Sequence, residues 1–184
     1  ISCLSVRDCG NLDSAMTNRE TRPHLVKAYK DLMSPAFSQN VYTSEDEFRA
    51  LRWVMGRDIH LKGFRLELKY VNTIVRESGI VLIGLMNKKS ICYDMEIAEY
   101  YATRGKLTNL NVIHGAHTAL TYASQKGHLD IVKALLARGA DKNRTDIYGY
   151  NLLNLAARYG RVEILKTLLF SRPAPDGLYQ WPCG

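Results

Sequence analysis

The clearest pattern of apolar and polar positions lies in the stretch HTALTYASQKGHLDIVKALLARGADKN, residues 117–143. Leu129, Val132, Leu135 and Leu136 follow one another at intervals of three, three and one. This spacing places the four side chains on one face of a helix. The polar residues between them lie on the opposite face, so the pattern predicts an amphipathic helix with one buried side.

A second, shorter helix is predicted just before it. Thr118 is a candidate N-cap, and Leu120 and Ala123 form its apolar side, where the small Ala123 allows a neighbouring helix to approach. Gly127 permits the positive φ angle that a tight turn between two helices needs, and Gly139 ends the second helix. The stretch is therefore predicted to be a helix pair.

The same pattern recurs 33 residues later, where GRVEILKTLL repeats the register of GHLDIVKALL and Ala156 takes the position of Ala123. A weaker copy, MEIAEYYATRGKLTN, lies 34 residues upstream of LDIVKALLARGADKN. We expect helix pairs over roughly 118–138 and 151–170. Each pair buries too little surface alone, so stacking of neighbouring pairs must supply the core.

With this period, the segments TALTYAS, GHLDIV, LLARGADKN and DIYG resemble the ankyrin repeat family over residues 113–170. The resemblance implies an all-α fold, an ankyrin-type α-solenoid of stacked helix pairs. Two positions depart from the family's Thr-Pro-Leu-His motif: they are Ala119 and Thr121 in one unit, Leu152 and Asn154 in the next. We therefore expect altered hydrogen bonds between repeats and a stack less stable than a consensus one.

Four segments are expected along the chain. They are an N-terminal segment with a short helix, divergent helical repeats, the ankyrin repeats and a tail, at residues 1–44, 45–112, 113–172 and 173–184. In the second segment, FRALRWVMGRDIHLKGFRLELKYVNTIVRESG and VLIGLMNKKSICYDMEIAEYYATRG are each interpreted as a helix pair. The alternative is a separate small α domain beside the stack.

Two local signals support helices in the N-terminal part. PHLVKAYKDLM begins with Pro23 at a helix start and predicts a short packing helix. Ser44 and Glu47 have the spacing of a capping box at the entrance of the following helix.

The net charge of +7 is spread evenly, with 16 basic and 13 acidic residues up to residue 110, and 9 and 5 after it. An evenly charged surface indicates solvation better than a track for phosphates. The longest apolar run, at 80–86, is far shorter than the roughly 20 residues that span a bilayer. No signal peptide is visible, and the missing initiator Met indicates a processed or excised chain.

Cys3, Cys9, Cys92 and Cys183 match no metal-binding spacing. Free thiols in a reducing compartment are expected, with a Cys3–Cys9 disulfide as the alternative in an oxidising one. We expect a cytoplasmic or nuclear protein, or one in the host cytosol if it is a pathogen effector.

The resemblance implies a protein–protein interaction module, a scaffold, inhibitor or effector-type adaptor, that binds a protein partner through hairpin tips and inner helices. Carried onto this sequence, the partner-binding positions are Ile113, His114, His117, Gln125, Lys126, Ile147, Tyr148, Tyr150, Arg158 and Tyr159. Tyrosines and arginine are typical of protein interfaces. The alternative is that Tyr148 and Tyr150 pack on a neighbouring hairpin.

Other function classes have weaker signals. His114 and His117 are three residues apart but lack further metal ligands beside them, and Cys92 with His60 is the one interior Cys–His pair for an enzyme. Cys92, between Ile91 and Tyr93, suits a buried packing thiol better than a nucleophile. We expect no catalysis, cofactor or metal, and a monomer; nucleic-acid binding is the runner-up function.

Overall fold

In a computed structural model of the chain, the structure describes Pro23, His24, Lys27 and residues 40–42, 51–58, 61, 64–70 and 73–170. Pro23, His24 and Lys27 are helical, as predicted for the short helix there. Several predicted features lie outside the described residues. They are the capping box of Ser44 and Glu47, the side chain of His60, the cysteines Cys3, Cys9 and Cys183, and the tail at 173–184.

The chain divides into two compact units, one of residues up to Arg76 with Arg104–Lys106, the other of Glu77–Thr103 with the residues from Leu107 onward. The first unit contains a three-stranded sheet of β1 (Asn40–Tyr42), β2 (Arg65–Tyr70) and β3 (Thr73–Val75). β2 is central, parallel to β1 and antiparallel to β3. Residues 51–55 are helical, and among the described residues of this unit the buried apolar side chains are Leu51, Val54, Leu61, Phe64, Leu66 and Leu68.

The sheet corrects the prediction of helical repeats throughout residues 45–112, since residues 65–70 and 73–75 are strands. In β2 the successive residues Leu66, Glu67 and Leu68 are all buried. The sequence RLELKY nevertheless alternates polar and apolar residues, which is the pattern of a strand, and the interpretation as a helix pair overlooked it. Ile74, within the segment interpreted as a helix pair, is exposed in β3.

The second unit consists of three helix pairs in chain order. The pairs are α1 (Ser78–Met86) with α2 (Met95–Arg104), α3 (Ala119–Lys126) with α4 (Leu129–Ala137), and α5 (Leu152–Arg158) with α6 (Val162–Phe170). The two pairs predicted from the repeat and the pair predicted upstream of them are confirmed. Among the described residues, no helix has the length and apolar character needed to cross a bilayer.

The helix pairs stack in register. α3 packs against α1 on one side and α5 on the other, while α4 packs against α3 and α6. Ala123 and Ala156 are fully buried, which agrees with their predicted place where helices approach closely, and Ile131 and Leu135 of α4 are fully buried as well. The predicted helical solenoid is therefore confirmed for this unit. We call α1, α3 and α5 the inner layer and α2, α4 and α6 the outer layer.

In each unit, the residue that stands at the histidine position of the Thr-Pro-Leu-His motif has a structural role. The Thr118 side chain accepts a hydrogen bond from the Thr121 backbone N–H at 3.2 Å, and the Thr121 hydroxyl accepts one from the Thr118 backbone N–H at 2.8 Å. Asn151 and Asn154 form the same reciprocal pair before α5. Both helices thus begin at a capping box, which satisfies N–H groups that a helix start leaves free.

Two further hydrogen bonds connect the second repeat to the third. The Ser124 hydroxyl donates to the Leu152 carbonyl at 3.0 Å, and Arg161 Nε donates to the Gln125 carbonyl at 3.0 Å. Gly127, in the turn between α3 and α4, has a φ of 88°, and a Cβ there would lie 3.0 Å from the Arg161 side chain. Glycine is therefore needed at this turn for its backbone angle and for the room it leaves.

Candidate partner-binding surface

The hairpin tip at residues 146–150 is organised by one buried carboxylate. Asp146 Oδ1 accepts hydrogen bonds from the backbone N–H groups of Tyr148 at 2.9 Å and Tyr150 at 2.8 Å. The Asp146 N–H donates to the Tyr150 carbonyl at 2.9 Å, and Gly149 takes the left-handed conformation, with a φ of 80°. The tip backbone is therefore fixed from inside, and the side chain of Tyr148 is 67% exposed.

A second tip lies one repeat earlier. His114 and His117 exchange backbone hydrogen bonds of 2.9 and 3.4 Å across Gly115. The Ile147 N–H donates to the Ala116 carbonyl at 3.1 Å, which joins the two tips. The side chain of His114 is exposed, whereas that of Ile113 is half-buried.

His117 lies beneath the tips. Its Nδ1 is 3.5 Å from Asp146 Oδ2, and neither atom has a hydrogen bond within the part of the chain that the structure describes. Its ring centroid is 5.9 Å from that of Tyr122. Burial lowers the pKa of His117, against the opposing effect of the Asp146 carboxylate, and nearby Lys126 lowers it further. His117 is therefore a neutral, half-buried side chain at neutral pH.

Beside the second tip, α3, the tip at 146–150 and the C-terminal end of α5 present aromatic and polar side chains that contact one another in pairs. Lys126 Nζ lies over the Tyr122 ring, 5.3 Å from its centroid, and Arg158 Cζ lies over the Tyr150 ring at 5.1 Å. Gln125 Nε2 donates to the Tyr159 hydroxyl at 2.8 Å. We call this group the aromatic surface; its residues are Tyr122, Gln125, Lys126, Tyr150, Arg158 and Tyr159.

The structure brings most of the predicted partner-binding residues together. Those on the tips and on the aromatic surface form adjoining patches, joined by the Asp146 network and by the Gln125–Tyr159 hydrogen bond. His117 is more enclosed than a contact residue, and Tyr148 and Tyr150 are exposed instead of packed away. The binding role of the set stays a prediction.

Tyr122 is the member of the aromatic surface that the sequence reasoning missed. It lies one helical turn before Lys126, and positions four apart share a face of a helix. The signal was therefore present once Lys126 had been placed on that face. Burial raises the pKa of the Tyr122 hydroxyl, so it remains protonated and able to donate a hydrogen bond.

The connection between α1 and α2 corrects the expectation for Cys92. Its thiol is half-buried in a turn, 2.8 Å from the Ser90 hydroxyl, and the adjacent Ile91 is 96% exposed. The flanking apolar residues suggested a packing thiol, but the turn directs them to solvent.

Among the described residues, no group of three His, Cys, Asp or Glu side chains is placed so that it could hold a metal ion.

Three stacked helix pairs with hairpin tips between them define a helical-repeat protein, in which the tips and the C-terminal ends of α3 and α5 have exposed side chains. Residues 90–176 match the sequence profile of ankyrin repeats, three copies. This part of the chain belongs to the ankyrin repeat family.

Parts of several curated proteins are similar to part of this chain. The chain is 34% identical over 117 residues to ankyrin repeat-containing protein ITN1 of Arabidopsis thaliana, covering 61% of this chain and 18% of that protein. It is 39% identical over 66 residues to the E3 ubiquitin-protein ligase XBAT33 of Arabidopsis thaliana, covering 36% and 13%. It is 45% identical over 71 residues to protein fem-1 homolog A-like of Mus musculus, covering 38% and 11%. The matched parts thus span less than a fifth of each relative.

Proposed function

We propose that the repeat stack binds a protein partner through the aromatic surface and the adjoining tip residues Ile147 and Tyr148. Ankyrin repeats are protein–protein interaction modules, and residues 90–176 belong to that class. One observation carries the choice of surface: Tyr148 and Ile147 are 67% and 59% exposed on a backbone that buried Asp146 holds in place. Apolar side chains on a fixed loop lose little conformational entropy on binding.

The chemistry of the aromatic surface fits the same role. Tyrosine and arginine are the residues that most often supply the energy of protein interfaces, because they offer large contact area together with hydrogen bonds. Arg158 already stacks on Tyr150, so the pair is ordered before a partner arrives. The Gln125–Tyr159 hydrogen bond orders the other end of the surface.

The finer role that we propose is an adaptor, in which the repeats recognise one protein and the rest of a larger assembly acts on it. One of the relatives is named an E3 ubiquitin-protein ligase, and this chain matches 13% of it. The shared portion is the repeat region, which we assign to recognition. We assign no catalysis to it.

The test begins with the whole chain as bait and a triple variant, Tyr148→Ala/Tyr150→Ala/Arg158→Ala, as the matched control. A partner captured by the parent alone is purified and titrated against both proteins. Each central anchor is expected to contribute about 2 kcal/mol, near thirty-fold in the dissociation constant. Circular dichroism and melting of the variant establish that it is folded.

The salt dependence separates a protein partner from nucleic acid. An interface made mainly of desolvated aromatic area should change little in affinity between about 50 and 200 mM salt, whereas 6–10 phosphate contacts lose about 10³–10⁵. A partner that binds the parent and the folded triple variant equally well would contradict the proposed surface.

A further inference from the structure

Charge is distributed unevenly between the two layers of the stack. The inner layer and the two tips, residues 113–117 and 146–150, contain one carboxylate, Asp146, which is buried. The outer layer contains four, at Glu96, Glu99, Asp130 and Glu163. The helices of the inner layer and these two tips therefore present cations and no exposed carboxylate of their own.

The cations of the inner layer are Lys126 and Arg158, and neither forms an ion pair with a carboxylate of the described residues. Each lies instead over a tyrosine ring of the aromatic surface. The outer layer differs, because there Lys166 pairs with Glu163 at 2.9 Å. A tyrosine face attracts a cation but leaves its N–H groups free to donate hydrogen bonds to an arriving anion.

We propose that the aromatic surface binds an acidic segment of its protein partner, in which carboxylates alternate with apolar or aromatic residues. The carboxylates accept hydrogen bonds from Lys126 and Arg158, and the apolar side chains contact the rings of Tyr122, Tyr150 and Tyr159. Because α1, α3, α5 and the two tips contain no exposed carboxylate, these elements add no repulsion against such a segment. The inference rests on the proposed function and specifies the chemistry of the partner.

A nucleic acid is the other polyanion to consider. Binding along a phosphate backbone usually engages six or more cations, at roughly regular spacing. The aromatic surface offers two, and the tips add histidines, of which His117 is half-buried. Two cations among four uncharged polar or aromatic side chains match a peptide with a few carboxylates better than a chain of phosphates.

The probe is a phage-displayed library of random peptides, selected on the whole chain and counter-selected on Lys126→Gln/Arg158→Gln. Selected peptides are synthesised with a fluorescent label and titrated by anisotropy. The matched control is Lys133→Gln/Lys166→Gln, which removes the same two charges from the outer layer. All four positions are on helix surfaces, and circular dichroism checks that each protein is folded.

We expect the selected peptides to be rich in Asp and Glu next to apolar residues. The inner-layer variant should weaken their binding about tenfold or more, and the outer-layer control less than about twofold. Replacing Asp and Glu in each peptide by Asn and Gln should cause a similar loss for the parent protein.

Two results would separate failure of this inference from failure of the proposed function. Neutral or basic peptides that lose binding on Tyr150→Ala would overturn the acidic partner and leave protein binding at this surface intact. Peptides whose affinity is unchanged by Tyr150→Ala and by the inner-layer variant would contradict both the acidic partner and the proposed function. A selection that yields no binding peptide would do the same. A labelled single-stranded DNA that binds tighter than the best peptide, and is released by the inner-layer variant, would favour nucleic acid.

Discussion

The second and third repeats have nearly the same sequence pattern but different burial. Leu120 is 2% exposed, while its equivalent 33 residues later, Leu153, is 40% exposed; Leu136 is 5% exposed and Leu169 is 68% exposed. The second repeat has a helix pair on each side, whereas no pair follows α6 within the described residues. Burial in a stack is therefore set by the neighbouring repeat as much as by the residue itself.

The hydrogen bonds between repeats show the same contrast. Ser124 ties α3 to the Leu152 carbonyl of the next repeat, and the equivalent position in α5 is Ala157, which is exposed and has no hydroxyl to donate. The two sequences thus diverge at a position whose polar side chain is useful only against a following repeat.

The largest expected effect is the difference between Leu136→Ala and Leu169→Ala. The first should open a cavity and lower the free energy of unfolding by about 2–5 kcal/mol. The second should change it by no more than about 0.5 kcal/mol, because the side chain is already in solvent. Urea unfolding followed by far-UV circular dichroism measures both. Equal losses would show that the outer face of α6 is covered in solution.

A smaller effect is expected from overpacking in α5. Ala156 is fully buried and Ala157 is exposed, although they are adjacent. Ala156→Leu should cost about 1–3 kcal/mol, because the inserted methylenes force α3 and α5 apart. Ala157→Leu is the matched control and should stay within about 0.5 kcal/mol. If Ala156→Leu melts with the parent, the assigned register of the repeats is wrong.

The smallest effect concerns pH and the pair His128 and Arg161, which occupy equivalent turns. Burial lowers the pKa of His128, and the positive charges of Arg161, Lys126 and Lys88 lower it further. Its pKa is then lower in the folded than in the unfolded chain, so the unfolded chain takes up the proton first as pH falls. The stability present above the unfolded pKa, about 6.5, is lost as pH falls through the lower folded pKa.

We expect His128→Gln to reduce this loss of stability between about pH 7.5 and 5.5, with the remainder assigned to His117, whose pKa is lowered too. Arg161→Gln is the comparison in the other repeat, and it should leave a pH dependence because His128 remains. Melting temperatures across this range measure the effect. An unchanged pH profile in His128→Gln would exclude His128 as its source.

The sequence predicted the helix pairs of the second and third repeats well, because a 33-residue period aligns two independent copies of each signal. Thr118 as a cap and Gly127 at a turn with positive φ follow from local chemistry and are confirmed. The partner of Thr118 could not be predicted from the family motif, since Thr121 stands where the family has histidine.

Other features depend on contacts between distant residues. The strand β2 is an exception, because RLELKY alternates polar and apolar residues, and this strand signal was present in the sequence but was interpreted as part of a helix pair. The Asp146–His117 contact joins residues 29 positions apart through the folding of two tips, and no periodic pattern encodes it. Five of the six residues of the aromatic surface were predicted from the sequence. The sixth, Tyr122, and its contact with Lys126 were not predicted.

Asp146 has a consequence for how such a chain can change its partner. Its carboxylate and Gly149 define the backbone of the tip, while the side chains of Ile147, Tyr148 and Tyr150 take little part in that scaffold. Diversity at these three codons should therefore alter recognition at small cost to folding. A library randomised at these three positions, with Asp146 and Gly149 kept, would vary the contact residues while the tip backbone stays the same. Natural variation can change the partner of a repeat in the same way.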